Sequence, residues 1–306
     1  MPIDVAAATH PGQVRRINED AFLVGGLEGE EPRINRLLPD PTPGPMGLLA
    51  AVADGLGGAV GGDVASLEGL AAFSVCLFGH WGRFPAAEAT EEGLLRALRT
   101  AALEASAAVL RFSDSDRTVR GMTSTLTAAV VWRNRAYLCH VGDTRAYLYR
   151  GAELVRLTHD HALGQSQVGA GPLSRSQGGA RPHQGLITQA LGSPRPIVPD
   201  IAVVPLCRGD LLLLCSDGLH QELGEAELEA LLAPRDSARR TADRLLAAAM
   251  EKGARDNVTA LVLSLDDPGL PPARPGGKVA LTPVAAGEGS LLHRFSGLFR
   301  DHGHGR

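Results

Sequence analysis

Three short apolar runs in this chain stop on an aspartate paired with a glycine: GLLAAVADG (Gly47–Gly55), RAYLCHVGD (Arg135–Asp143) and DLLLLCSDG (Asp210–Gly218). Their length and their Val, Tyr and Leu content suit strands better than helices. TSTLTAAVVW (Thr123–Trp132) and NVTALVLSL (Asn257–Leu265) add two more strands, and TRAYLYR follows the second run directly. The RNR break after Trp132 reads as a hairpin, and so does the GDT turn between AYLCHV and RAYLYR. Successive hairpins imply antiparallel sheet.

Four segments carry helical spacing. Val64–Trp81 places Val64, Leu67, Leu70, Phe73 and Leu77 three or four residues apart, with Asp63 as the expected cap. Glu91–Phe112 is long, rich in Ala and Leu, and amphipathic, whereas Glu225–Leu232 is short. Ser237–Met250 has Asp236 as its expected cap and Gly253 just past its end. Strands come in clusters and helices in pairs between them, which predicts an α+β fold with helices on the sheet faces.

Three stretches lack either period. Glu28–Pro45 is rich in proline and acid and reads as a surface insertion. Gly164–Gly185 is a glycine-rich loop of a length that is either functional or without fixed structure. Asp266–Gly289 reads as a Pro/Gly linker to a final SLLHRFSGLFRD, which puts Leu291, Leu292, Phe295, Leu298 and Phe299 on one helical face. That tail either packs back on the domain or docks on a partner or membrane surface. The expected organisation is one domain over 1–267 followed by a linker and tail over 268–306.

Composition excludes several classes. At 44% hydrophobic and 21% charged the chain is globular, not disordered. A net charge of −4 gives no footing for a nucleic-acid partner. Residues 268–306 hold five Lys/Arg against two acids, so the acidic excess sits in the body. Cys76, Cys139, Cys207 and Cys215 form no C-x-x-C pair and sit in or beside apolar runs, as expected of reduced thiols in a cytoplasmic protein. The N-terminus lacks the pattern of a signal peptide, and the longest apolar stretch, Leu70–Trp81, falls short of the ~20 residues that span a bilayer.

The candidate chemistry lies in the aspartates. Asp54 and Asp217 end strands ahead of a glycine, Asp20 precedes AFLV, Asp143 sits in a turn, and Asp256 stands just before the last strand. A single Asp-Gly pair is ordinary turn chemistry. If the strands belong to packed sheets, however, acids at one end converge, and converging carboxylates repel unless a cation neutralises them. All-oxygen ligation favours a hard ion, Mg²⁺ or Mn²⁺. The glycine after Asp54 would let the bare Gly55 carbonyl approach such an ion. Two ions sharing a carboxylate would acidify a water for in-line attack on phosphorus. Arg15 and Arg16, just upstream of Asp20, would suit the phosphate oxygens.

VRRINEDAF, AVADGLGGAVGGDVAS, GMTSTLTAAV, HVGDTRAYLYR, LTHDHAL, LLLLCSDGL and ARDNVTALVL occur in this order. Together, from Ala6 to Leu265, they resemble the metal-dependent protein serine/threonine phosphatases, the protein phosphatase 2C-like family of bacterial type. The resemblance implies a four-layer α-β-β-α sandwich, with two central antiparallel sheets flanked by antiparallel helix pairs. It implies two Mn²⁺ or Mg²⁺ ions, with a third, weaker site. Asp54 would bridge the pair, with the Gly55 carbonyl on one ion and Asp217 and Asp256 on the other. Asp20 would act through metal-bound water, Asp143 would serve the third site with Asp217, and Arg15 would hold phosphate. Gly164–Gly185 would be a flap beside the site.

The pattern departs from the family in three places. Leu56 stands where some eukaryotic members carry a histidine proposed as general acid. Gly121-Met122-Thr123 interrupts the usual glycine-threonine pair, and Gly142-Asp143-Thr144 replaces GDS. His159, Asp160 and His161 form an H-D-H cluster, either a structural motif at the loop opening or a group with His161 on substrate or metal-bound water. The expected partners are phosphorylated protein substrates and a Ser/Thr kinase whose action a monomeric, cytoplasmic enzyme would oppose. Two rivals stand beside this reading: a phosphatase dedicated to one partner phosphoprotein, and a catalytically silent binding module on the same fold.

Overall fold

The computed structural model describes residues 3–28, 33–35, 43–57, 61–162, 187–274 and 279–285. The chain begins with β1 (Asp4–His10), β2 (Asp20–Gly26), β3 (Arg33–Ile34) and β4 (Leu48–Leu56), followed by helices α1 (Gly62–Leu77) and α2 (Glu91–Ser115). Next come β5 (Thr123–Ser124), β6 (Leu126–Trp132), β7 (Arg135–Val141), β8 (Arg145–Arg150), β9 (Glu153–Arg156), β10 (Asp200–Pro205) and β11 (Asp210–Cys215). The short α3 (Asp217–His220), α4 (Glu225–Leu232) and α5 (Ala238–Glu251) lead to β12 (Val258–Leu265) and β13 (Thr282–Val284).

The strands form two antiparallel sheets. One has the order β1-β12-β11-β8-β9; the other runs β13-β10-β7-β6-β4-β2-β3, with β5 paired to the end of β4. Because side chains alternate across a strand, β4 feeds two cores at once. Leu49, Ala51 and Ala53 pack toward α1 and α2, while Leu48, Ala50 and Val52 pack between the sheets. In the other sheet, Leu212 and Leu214 enter the inter-sheet core, and Leu211, Leu213 and Cys215 face α4 and α5. Three apolar interfaces thus separate four layers, helices–sheet–sheet–helices. Burial on both faces is why these strands read as unbroken apolar runs.

The helices form where the sequence places them, with corrections at their starts. Gly61, at φ 113°, precedes α1 as its cap, and Asp63 lies inside the first turn. There its charge suits the positive end of the helix. Leu67, expected on the buried face, is exposed. Ser237, rather than Asp236, caps α5 by accepting from the Arg240 N–H; Asp236 instead pairs with Arg244 at 2.6 Å. With the π-turn that follows α1, Gly62–Gly82 is long and apolar enough to cross a membrane by length and composition. Half of that stretch is buried inside the domain, against α2 and the sheet, and it serves as a core helix.

Two expectations about connections are overturned. The RNR break is a true two-residue hairpin, with Trp132 opposite Arg135 and Arg133 at φ 55°. The GDT turn is not: β7 pairs with β6 and β10, whereas β8 pairs with β11 and β9. Gly142–Thr144 carries the chain from one sheet to the other. Part of the segment read as linker also joins the fold, because β13 pairs with β10 and Leu270 is buried between the sheets. Cys139 and Cys215 are buried and Cys76 and Cys207 half-buried, all as free thiols. The flap over Gly164–Gly185 and the tail helix after Gly289 lie outside the described residues, as does most of the Glu28–Pro45 insertion.

Candidate active site

Antiparallel pairing gathers the acids at one end of the sandwich. Asp20 opens β2 and is the direct cross-strand partner of Asp54 near the end of β4. In the facing sheet, β11 ends at Cys215 opposite Ala260 of β12, which brings Asp217, two residues on, beside Asp256, just ahead of β12. Asp143 sits in the crossover between the sheets. Asp54 and Asp217, one from each sheet, stand within hydrogen-bonding reach of each other.

Each acid is held by neighbours of modest size. Ser216 Oγ donates to Asp20 Oδ2 at 2.6 Å and Thr259 Oγ1 donates to the same oxygen at 2.7 Å. The Asp54 N–H donates to Thr125 Oγ1, and its carbonyl accepts from the Thr125 N–H, both at 2.9 Å. Ser124 Oγ adds a further bond to that carbonyl, so the TST strand clamps the end of β4. Gln221 Nε2 donates to Asp217 Oδ2 at 2.6 Å.

Gly55 has a reason beyond access for an ion. A Cβ there would meet the Gly62 carbonyl oxygen at 1.8 Å. Only glycine lets the end of β4 pass the start of α1 this closely. Gly142 combines φ 109° with the packing of the turn on Thr125, whose Cγ2 would be 2.6 Å from a Cβ.

The electrostatics are those of a cluster short of positive charge. Burial, and then the charges of Asp20, Asp217, Asp143 and Asp256, push the Asp54 carboxyl well above its usual range. Burial first, then Asp143, Asp256 and Asp20, raise Asp217 to about 8. Asp143 rises to about 6 through burial and then Asp160. Asp20 also rises to about 6, chiefly by burial, with the Ser216 and Thr259 bonds pulling it back. Asp20 Oδ1 and Asp143 Oδ1 are buried with no hydrogen-bond donor. Buried carboxylate oxygens without partners are costly, and a hard divalent cation is the group that would satisfy both them and the repulsion. The donor set, all carboxylate and carbonyl oxygen, fits such an ion. Among the described residues no three His, Cys, Asp or Glu side chains close to a finished coordination sphere. Water would fill the remaining positions, as Mg²⁺ prefers.

Above the acids lies a cleft of about 380 Å³, lined by Arg15, Glu19, Asp54, Gly55, Leu56, Gly57, Gly121, Thr123, Asp217 and Asp256. Arg15 is half-exposed and donates to Asp256 Oδ2 at 2.9 Å. That bond, then the Asp256 charge itself, raises its pKa. Arg16 is exposed and does not line the cleft. The loop bearing Arg15 is tied down by Asn257, only 3% exposed. Its Nδ2 donates to the Pro11 and Ile17 carbonyls, each at 2.9 Å, and its Oδ1 accepts from the Glu19 N–H at 2.7 Å.

Sequence reasoning missed Asn257, Ser216, Thr259, Thr125 and Glu19. All but Thr125 carried a signal, since each of the other four is a polar residue inside or beside an acid-bearing motif. The H-D-H cluster resolves to its structural reading. Asp160 pairs with Arg145 at 2.7 Å and with Arg156. His161 Nδ1 accepts from the Gly142 N–H at 3.2 Å, its backbone N–H donates to the Gly142 carbonyl at 2.7 Å, and its Nε2 stands 3.2 Å from Asp200. With both ring nitrogens engaged, His161 braces the Asp143 turn. His220 supports the same turn from α3, donating from Nε2 to the Asp143 carbonyl at 3.0 Å.

A family model described as protein phosphatase 2C matches residues 44–261. The serine/threonine phosphatase stp of Listeria monocytogenes is 32% identical over 258 residues, spanning 84% of this chain and 94% of that one. Among solved structures, the Mycobacterium tuberculosis serine/threonine phosphatase PstP/Ppp superposes with a TM-score of 0.68 at 30% identity, covering 87% of this chain and 100% of that chain. The catalytic domain of the serine threonine protein phosphatase PstP in complex with two manganese ions gives a TM-score of 0.67 at 28% identity, covering 87% and 99%.

Proposed function

The chain belongs to the protein phosphatase 2C family, and on that premise we propose that it removes phosphate from phosphoserine and phosphothreonine on proteins, using Mn²⁺ or Mg²⁺. The supporting observation is the convergence of carboxylates from both sheets, with two buried oxygens lacking donors, beneath a cleft that has an arginine at its rim. Asp54 and Asp217 face each other across the sheets, and with Asp256 and the Gly55 carbonyl they would hold a pair of ions. Asp20 would serve the pair through ordered water, and Asp143 would serve a third position beside Asp217. When bound, the ions neutralise these acids and lower the pKa of water to where hydroxide is available near neutral pH.

The remaining work falls to the chain itself. Arg15 spends one N–H on Asp256 and keeps others of its planar fork for phosphoryl oxygens. Ser216 and Thr259 hold Asp20 in one orientation, so its free oxygen faces the cluster without reorganisation. Leu56, which lines the cleft, offers no proton, so the departing serine or threonine alkoxide takes its proton from water or another group. Gly57, Gly121 and Thr123, which also line the cleft, are small residues and leave room for a phosphorylated side chain presented by a protein surface.

The biological setting is part of the same proposal: reversal of a Ser/Thr kinase in a cytoplasmic signalling circuit. Four free thiols, two of them buried, support a reducing compartment. The test is hydrolysis of p-nitrophenyl phosphate and a phosphothreonine peptide with Mn²⁺, with EDTA, and by Asp217→Asn. Turnover that needs Mn²⁺ and collapses in the variant is the expected result. Turnover that survives both EDTA and the substitution would defeat the mechanism, and no Mn²⁺ binding at millimolar metal would favour a silent binding module.

A further inference from the structure

The two oxygens of Asp20 are treated differently by the fold. Oδ2 takes two O–H bonds, from Ser216 and from Thr259, while the buried Oδ1 takes none. A hydroxyl has one proton and rotates to suit its partners, so each of those bonds depends on what else touches the hydroxyl. Ser216 Oγ accepts from the Thr259 N–H at 2.9 Å, which leaves its proton for Asp20. The group that directs Thr259 lies on another strand. Thr9 of β1 is the direct cross-strand partner of Thr259, and the two Oγ1 atoms are 2.8 Å apart. Thr9 Oγ1 in turn accepts from Asn18 Nδ2 at 2.8 Å.

The direction of every bond in this series follows from the groups at its ends. The Asp20 N–H can only donate, and it reaches the Asn18 side chain at 3.2 Å. The atom it meets is therefore the amide oxygen, and the amide nitrogen faces Thr9. That nitrogen can only donate, so Thr9 accepts from it and donates to Thr259, and Thr259 donates to Asp20 Oδ2 at 2.7 Å. The bonds close a ring from the Asp20 main chain through Asn18, Thr9 and Thr259 to the Asp20 side chain. This ring also ties the two sheets together, since β1 and β12 belong to one and Asp20 opens β2 in the other. It runs from the surface inward: Thr9 is exposed, Asn18 half-buried, and Thr259 and Asp20 buried.

We propose that Thr9 and Asn18 are positioning residues for metal binding, because the ring pins Asp20 by its main chain and by Oδ2 and so leaves Oδ1 as the oxygen presented to the ions. The proposal rests on the reading that Asp20 serves those ions. Without the Thr9 hydroxyl, Asn18 Nδ2 loses its acceptor, the amide is free to turn to solvent, and both the Asp20 N–H and the Thr259 hydroxyl lose a fixed partner. Groups that hold a metal-binding side chain from behind are worth about 10-fold or more in metal affinity. Thr9 stands one bond further back, so a loss of about 5-fold is expected on removing its hydroxyl.

Thr9→Val and Thr9→Ser, compared by calorimetric titration with Mn²⁺ and by thermal unfolding in EDTA, test this. At an exposed strand position valine suits the sheet at least as well as threonine, and serine suits it less. The two measurements should therefore rank the variants in opposite orders. Thr9→Val should melt at or above wild type yet bind Mn²⁺ about 5-fold more weakly, and Thr9→Ser should melt below wild type yet bind within about 2-fold of it. A role in stability alone would make affinity follow melting temperature. Asn18→Ala breaks two bonds of the ring and should weaken Mn²⁺ binding about 10-fold. Mn²⁺ affinity of Thr9→Val or Asn18→Ala within about 2-fold of wild type would overturn the proposal, as would a Thr9→Ser variant that binds no better than Thr9→Val. If folded wild-type protein binds no Mn²⁺ at all, the catalytic reading falls and this proposal falls with it, whereas binding by wild type that is indifferent to these substitutions removes the proposal alone.

Discussion

Asp217→Asn should stabilise the metal-free protein while abolishing its function, and the size of the effect follows from the site's electrostatics. Burial and the neighbouring carboxylates raise Asp217 to about 8, against about 3.9 in an unfolded chain. The folded state therefore holds a proton near neutral pH that the unfolded state gives up. For a group whose folded pKa is raised, stability is complete below the unfolded pKa and is lost as pH rises toward the folded one. Between about pH 4 and pH 7 that loss reaches up to about 4 kcal/mol at 1.36 kcal/mol per pH unit. Asp54 is displaced by the same repulsion, so about half, ~2 kcal/mol, is assigned to this side chain. Asparagine keeps the shape and carries no charge. In EDTA, thermal unfolding of the variant should lie about 4–8 °C above wild type at pH 8, at 2–4 °C per kcal/mol for a domain of this size. The gap should narrow toward pH 4, where the carboxyl of the unfolded chain also begins to take up its proton. With Mn²⁺ present, wild type should gain stability by ligand linkage and the variant far less. A variant that melts below wild type in EDTA at pH 8, or a gap unchanged between pH 4 and pH 8, would refute the claim that uncompensated carboxylate repulsion defines this site.

Other consequences concern the elements around the acids. Arg15→Ala should lower kcat/KM by about 10²-fold on a phosphothreonine peptide, with Arg15→Lys recovering only part, because a planar fork is replaced by a point charge. Asn257→Ala removes three hydrogen bonds of a buried side chain; urea denaturation should show a loss of about 2–4 kcal/mol, and turnover should fall with it as the Arg15 loop comes free. Gly55→Ala drives a methyl group into the Gly62 carbonyl and should cost about 3 kcal/mol or more in the same measurement, whether or not metal is bound.

Strand-terminal acids are legible because each is a local event, an apolar run stopped by Asp and Gly. Asp54, Asp143 and Asp217 each announce themselves in that way, and the antiparallel register then brings Asp20 opposite Asp54. Less legible were the groups that hold them. Ser216, Thr259 and Thr125 look like ordinary strand residues until the fold places an acid against each. Asn257 reads as a neighbour of Asp256, yet its role is to tie down a loop more than 200 residues away in sequence. His161 was ambiguous for the same reason, since its partners Gly142 and Asp200 lie on other elements.

The amino-acid sequence alone determined the helices, the apolar strands, the acids at their ends and, through the ordered motifs, the family. Those features depend on residues within a turn or a run of one another. The tertiary structure decided which strands pair and what covers their edges. A strand apolar on both faces, such as β7 or β8, carries no local mark of its sheet, so a turn that looked like a hairpin proved to be a crossover. Likewise, only the open edge of β10 made a strand of residues 282–284. Pairing is settled by shared burial across the whole domain, and no single window of sequence contains that information.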